Sequence, residues 1–242
     1  DYDTHTEIAV SPEDDIELRR VRITNHARTR RAIDVTSYAE VVLAPPAADA
    51  LHPAFSNLFV QTEILADRGA ILCTRRPRAP GEQPPWLFHL LTAQGTPAGE
   101  PSYETDRARF IGRCRTTERP AAFDDAAPLS NSEGSVLDPI VAIRQAVVIQ
   151  HDTSANFHVI SGVAATRAQA LSLIGRYRDP SFAARAFEMA WSHSQVVLLQ
   201  LQATEAETQV YDELAASVLH ANPLRRAGAG VLARNRLGQS GL

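Results

Sequence analysis

The run YETDRARFIGRCR, residues 103–115, concentrates the charge chemistry of this chain, with Arg107, Arg109, Arg113 and Arg115 behind Glu104 and Asp106. All four arginines are odd-numbered, so on one continuous strand their guanidinium groups share a face. Like charges on one face repel unless each finds a carboxylate, or unless together they hold an anionic or hydroxyl-rich ligand. Gly112 is where a bulge would break that parity. Arg75, Arg76 and Arg78 repeat the theme upstream. An ion-pair ladder, on the sandwich surface or at a domain interface, is the expected arrangement. The alternative is a carbohydrate-binding surface, in which Trp86 and Tyr103 would add stacking platforms to the arginines, although a lone aromatic in a strand is more often part of a core.

No self-sufficient catalytic pattern accompanies these residues. The histidines at 5, 26, 52, 89, 151, 158, 193 and 220 fall into neither H-x-x-x-H nor H-E-x-x-H spacing, so no metal site is expected. Phosphate-loop, dinucleotide-binding and nucleophile-elbow glycine patterns are absent from the sequence, and no cofactor is expected. Glycosidic chemistry needs two carboxylates flanking one bond. Asp14–Asp15 and Asp124–Asp125 are adjacent pairs, which point to opposite faces of a strand, and Glu205 and Glu207 fit a solvated helix start. Cys73 and Cys114 lack metal-ligand spacing and are expected to be buried, reduced thiols.

The 24 basic residues are all arginine, and the net charge is −4. Residues 1–120 carry 15 arginines against 17 acids and residues 121–242 carry 9 against 11, so each half is −2. Nucleic-acid binding leaves a clustered basic footprint, which this even balance excludes. The abundance of Arg, Ala and Pro without Lys points to a GC-rich, bacterial coding sequence. The chain begins at Asp1 and stops in GQSGL, and both ends read as cut from a longer polypeptide.

The elements that would position these residues are mostly strands. Alternation across Val21–Thr24 and Ala32–Leu43, with a polar turn at 25–31, predicts a long hairpin over 8–43. In that hairpin Arg20 and Arg22 lie beside Asp34 and Glu40. Further strands are expected at 58–64, from 70, and at 86–91, where Trp86, Phe88 and Leu90 share a face. Segments 140–149 and 156–163 predict a second hairpin. The period then changes. Thr166 with Gln169, Asp179–Pro180, and Thr204 with Glu207 are helix starts. Phe182, Ala186, Met189, His193, Val197 and Leu201 form the expected apolar stripe of a long helix. Asn222–Pro223 would end the last one. The fold class is therefore mainly β: an antiparallel sandwich over 1–165, a helical linker over 166–221, and an exit segment over 222–242.

Six segments, in order, carry a family resemblance: SPEDDIELRRVRITNHARTRRAIDVTSYAEVVL, HPAFSNLFVQTEI, CTRRPR followed by PPWLFHLL, ETDRARFIGRCRT, VLDPIVAIRQAVVI and VLARNRLGQSGL. Together they resemble the region preceding the catalytic barrel in cyclic β-1,2-glucan synthases. That region is similar to the N-terminal part of the cellobiose phosphorylase family of inverting glycoside phosphorylases. The resemblance implies a β-supersandwich and helical linker that precede an (α/α)₆ barrel holding the catalytic acid and the phosphate site. This chain would then be non-catalytic. It would buttress the barrel, contribute to a homodimer interface and edge the path of a β-glucan. The implied setting is cytoplasmic, as part of an inner-membrane protein. One departure is Cys114, where the resemblance implies glycine, which puts a tight backbone turn there in question.

Overall fold

The computed structural model describes residues 1–219 and 227–234. Two antiparallel sheets face each other, and helices follow them in the chain. The six-stranded sheet runs β1 (Tyr2–Val10), β2 (Ile16–Asn25), β10 (Ser154–Ala164), β6 (Trp86–Gln94), β5 (Ala70–Arg75), β4 (Val60–Leu65) in spatial order. The smaller sheet centres on β9 (Pro139–Ile149), flanked on one side by β3 (Arg31–Glu40) and on the other by β7 (Thr96–Pro97) and β8 (Ser102–Asp106). Both predicted hairpins are corrected by this order. β2 pairs with β1 and β10, while β3 pairs with β9, so each pair of sequence neighbours crosses between sheets instead of folding back.

Asn25 explains why the chain turns that corner. It is fully buried, and its side-chain amide donates to the carbonyls of Thr29, Ile149 and Gln150 at 2.9, 3.1 and 3.2 Å. Its Oδ1 accepts from Ala27 N–H at 2.9 Å. One side chain thus satisfies backbone groups of both crossovers, where no ladder reaches them.

Period-2 alternation sorts the apolar residues into layers. Ile71, Cys73, Leu91, Val141, Ile143, Val147 and Phe157 fill the space between the sheets. The other face of the large sheet presents Ile16, Leu18, Leu72, Phe88, Leu90 and Ile160 to α4 (Arg167–Tyr177) and the first turns of α5 (Pro180–Gln200). Gly162 is required in this layer, because a Cβ there would meet Phe88 Cζ at 2.5 Å and Ile16 Cγ1 at 2.8 Å. On the far side of the small sheet, Phe110 and Ile111 of α3 (Arg107–Ile111) cover Ile140 and Ala142.

The helix starts follow the capping chemistry. Thr166 accepts from Gln169 N–H, and Asp179 accepts from Ser181 N–H at the start of α5. Thr204 and Glu207 close a reciprocal box at α6 (Glu205–Leu219). The apolar stripe of α5 differs from expectation. Ala183 and Ala186 are its buried residues and Phe187 packs beside them, whereas Phe182 is left exposed. Short helices α1 (Pro46–Leu51) and α2 (Pro53–Asn57) lie between β3 and β4, and α7 (Ala229–Arg234) is the last described element. The chain divides into two compact units, Asp1–Trp191 and Ser192–Leu242. The predicted helix end at Asn222–Pro223, His220 and most of the 222–242 segment lie outside the described residues.

Candidate functional site

The arginine run is not one strand. β8 ends at Asp106, whose side chain accepts from Ala108 N–H at 2.9 Å and caps α3. Capping wins because Asp favours that role over the strand interior, and the helical turn then rotates the arginines off a common face. Arg107 pairs with Glu40 at 2.9 Å and with Asp138 at 3.7 Å. Arg109 pairs with Asp106 at 3.7 Å and Arg115 with Asp124 at 2.6 Å. Arg113 is exposed and makes no ion pair among the described residues. The Arg107 hydrogen bond holds the Glu40 carboxyl below the usual carboxylate range, against the opposing effect of burial. Burial, with Glu40 beside it, pushes the Tyr38 phenol up to about 12. Glu40 is therefore spoken for by Arg107 and Tyr38, and Arg20 is paired with Glu7 on the edge strand β1.

The two aromatic candidates also lie in layers. Tyr103 is 3% exposed, between the sheets, and its hydroxyl has no hydrogen-bond partner among the described residues. Trp86 is half-buried against the layer covered by α4 and α5. Of the two thiols, Cys73 is buried and its thiol is pushed up to about 12 by that burial. Cys114 is exposed, which corrects the expectation of two buried cysteines. Its φ is 59°, so the left-handed turn is present although the residue is not glycine. Among the described residues no group of three His, Cys, Asp or Glu side chains is placed to hold a metal.

Another arginine occupies a less ordinary position. On β5 the alternation Ile71, Cys73, Arg75 carries a guanidinium onto the face between the sheets. Arg75 is 5% exposed. Its Nη1 donates to Leu43 O at 3.3 Å, while Nε and Nη2 are enclosed without partners among the described residues. It is among the residues that line a cavity of ≈ 470 Å³. Val42, Leu43, Val163, Pro84 and Pro85 wall that cavity, and Arg78 and Glu82 line it too. The signal in the sequence is a charged residue at the third position of an alternating apolar strand face.

Against known families, residues 1–180 match the model described as glycosyl hydrolase 94, supersandwich domain. The chain belongs to this family. The match takes in every strand of both sheets and α4. The supersandwich chain is also 35% identical, over all 242 residues, to a cyclic beta-(1,2)-glucan synthase, NdvB, of Rhizobium meliloti (strain 1021). It spans 8% of that relative's length. No helix among its described residues is long and apolar enough to cross a membrane.

Proposed function

We propose that this supersandwich chain is a non-catalytic part of a glucan-processing enzyme of the cyclic β-1,2-glucan synthase kind, with residues 1–165 as the sandwich, 166–221 as a linker and 222–242 as the exit toward a catalytic barrel. The observation that carries the reading is the family match over 1–180 together with identity to the synthase along the entire chain. Its role would be to buttress the barrel and to contribute to a homodimer interface. Exposed apolar side chains support a covering partner: Trp191 and Leu199 on α5, and Leu214, Val218 and Leu219 on α6. Apolar surface of that extent on a helix is ordinarily buried against something. The ion pairs of Arg107, Arg109 and Arg115 support a structural role for that run.

The purified chain, given β-1,2-glucan or cellobiose with phosphate, is expected to release no sugar phosphate. Phosphorolysis by the chain alone would overturn the non-catalytic reading. Co-expression with the barrel polypeptide of the same enzyme is expected to yield a stable complex. Failure to associate would remove the buttressing role.

A further inference from the structure

The two outer edges of the large sheet differ. At β4 the edge is occupied: Thr62 N–H donates to Gly134 O and Gly134 N–H to Thr62 O, each at 2.9 Å, and Ile64 N–H donates to a Glu133 carboxylate oxygen at 2.6 Å. At β1 the ladder stops. This strand pairs with β2 in a continuous register that sets Tyr2 against Asn25 and Val10 against Glu17. Just beyond its ends, and in the same register, Ser11 N–H donates to Ile16 O at 2.9 Å and His26 N–H donates to Asp1 O at 3.0 Å. Asp1 and Ser11 thus direct their backbone toward β2, and alternation gives the same direction to Asp3, His5, Glu7 and Ala9. The backbone groups of Tyr2, Thr4, Thr6, Ile8 and Val10 therefore point away from the sheet, with no strand to receive them among the described residues.

The side chains of this outward row are unusual for a bare edge. Thr4 and Thr6 sit beside Ile23 and Val21, which pack into the layer between the sheets. The row continues that core face, yet Tyr2, Ile8 and Val10 are exposed. By contrast β3, an edge of the smaller sheet, exposes no large apolar side chain. A long edge that is both unpaired and apolar is a template for another strand.

The residue order of β1 suits a second copy of itself. Antiparallel pairing about a two-fold axis at Thr6 uses every outward residue: Tyr2 faces Val10, Thr4 faces Ile8, and Thr6 faces its own counterpart. Between these, His5 of one copy faces Glu7 of the other, and Asp3 faces Ala9, in the closer, non-hydrogen-bonded kind of pair. Glu7 is held by Nε and Nη2 of Arg20 at 2.7 and 2.8 Å, and its carboxylate keeps lone pairs for a further donor. Neighbouring registers are worse. An axis at His5 sets Asp3 against Glu7, and an axis at Glu7 sets that carboxylate against its own counterpart, so both oppose like charges.

We propose that β1 is a dimerisation edge: two copies of this chain join antiparallel, β1 to β1 about Thr6, and their large sheets become one continuous sheet across the two-fold axis. This gives the homodimer interface a place and rests on that part of the reading above, though not on the exposed helices. One strand per copy is at the small end of specific interfaces, so the dimer is a weak one that dissociates on dilution.

Sedimentation velocity of the 242-residue chain, from low to high micromolar concentration, is the test. The wild type is expected to pass from monomer to dimer. Thr6→Lys sets like charges against each other at the axis and is expected to remain monomeric, while its exposed position leaves the fold unchanged. Thr6→Pro removes an N–H that β2 does not use, as edge strands tolerate, and is expected to do the same. Should the proline disturb the fold, the lysine variant decides. Leu214→Glu, on the exposed face of α6, is expected to leave the dimer intact. Amide exchange reads the register: the amides of Thr4, Thr6 and Ile8 are expected to gain protection in the dimer, whereas those of His5 and Glu7 are protected at every concentration. A wild type that stays monomeric overturns this proposal and the homodimer interface together. A dimer that survives Thr6→Lys, that is lost in Leu214→Glu alone, or that leaves the Thr4, Thr6 and Ile8 amides unprotected overturns the β1 pairing and leaves the homodimer reading in place.

Discussion

His89 Nε2 lies 2.8 Å from Ser37 Oγ, across the space between the two sheets. The other ring nitrogen, Nδ1, lies 2.8 Å from Ser161 Oγ on the neighbouring strand. Both ring nitrogens are thus committed to hydroxyls in a mainly apolar layer, and Ser37 Oγ also accepts from Ile143 N–H at 3.2 Å. One of the two hydroxyls can donate to the bare ring nitrogen while the other accepts from the protonated one, so the network is satisfied by a neutral imidazole.

That neutrality sets a pH dependence. Burial, with the charge of Arg19 adding to it, lowers His89 from 6.5 to about 4. A histidine whose folded pKa lies below its unfolded value contributes its full stability above the unfolded value. Protons then bind preferentially to the unfolded chain as the pH falls from 6.5 toward 4, and stability is lost across that window. The depression corresponds to roughly 3 kcal/mol. His158, lowered by burial and then by Arg20, acts in the same direction. Urea midpoints measured from about pH 7.5 down to about pH 4 are expected to fall, and His89→Gln is expected to flatten the profile.

Tyr103 carries a buried hydroxyl without a partner among the described residues, and Tyr103→Phe removes a group that is desolvated for no hydrogen bond. The variant is expected to unfold at equal or higher urea concentration, by up to about 1 kcal/mol. A loss of stability above that amount would mean that the hydroxyl has an acceptor.

Gly162 lies against Phe88 and Ile16 with no room for a methyl group. Gly162→Ala is expected to destabilise the chain by about 1–3 kcal/mol, as overpacking does in a filled core. Chemical denaturation measures this, and near-ultraviolet circular dichroism would report displacement of Phe88.

Cys114 holds a left-handed backbone conformation that glycine adopts freely. Cys114→Gly is expected to raise stability by about 1 kcal/mol. In the wild type a thiol reagent is expected to modify one cysteine in the folded state, Cys114, and both after unfolding, since Cys73 is 0% exposed.

Arg107 makes a partly exposed pair with Glu40, so Arg107→Ala is expected to cost only about 0.2–1 kcal/mol. Calorimetric titration with β-1,2-gluco-oligosaccharides is expected to give the same result for this variant as for the wild type. A selective loss of sugar binding would instead place the arginine run on a ligand.

The local grammar of the chain is readable from residue order alone. The alternation of β5 and the Thr204–Glu207 box both follow from interactions within a few residues, and both are present. The pairing of β2 and β3 is not local. Leu18 meets Ile160 across 142 positions of sequence, and nothing near Leu18 records it. Proximity favours a hairpin, whereas the buried amide of Asn25 diverts the chain into the second sheet. The arginine run misleads for a related reason: even spacing indicates a shared face only while the strand lasts, and Asp106 ends it. The buried position of Arg75 follows from alternation, but the unpartnered state of its fork depends on Leu43, Phe59 and Glu82, which reach it from separate segments.

The central place of β10 between β2 and β6 has a consequence for synthesis on the ribosome. β2 emerges early with only β1 to pair with, and β6 waits likewise beside β5. Neither ladder can join the other until the stretch ending at Ala164 has left the exit tunnel. Between the emergence of β6 and that of β10 the nascent chain therefore carries two half-sheets with bare inner edges, an interval in which edge pairing with other chains competes with completion.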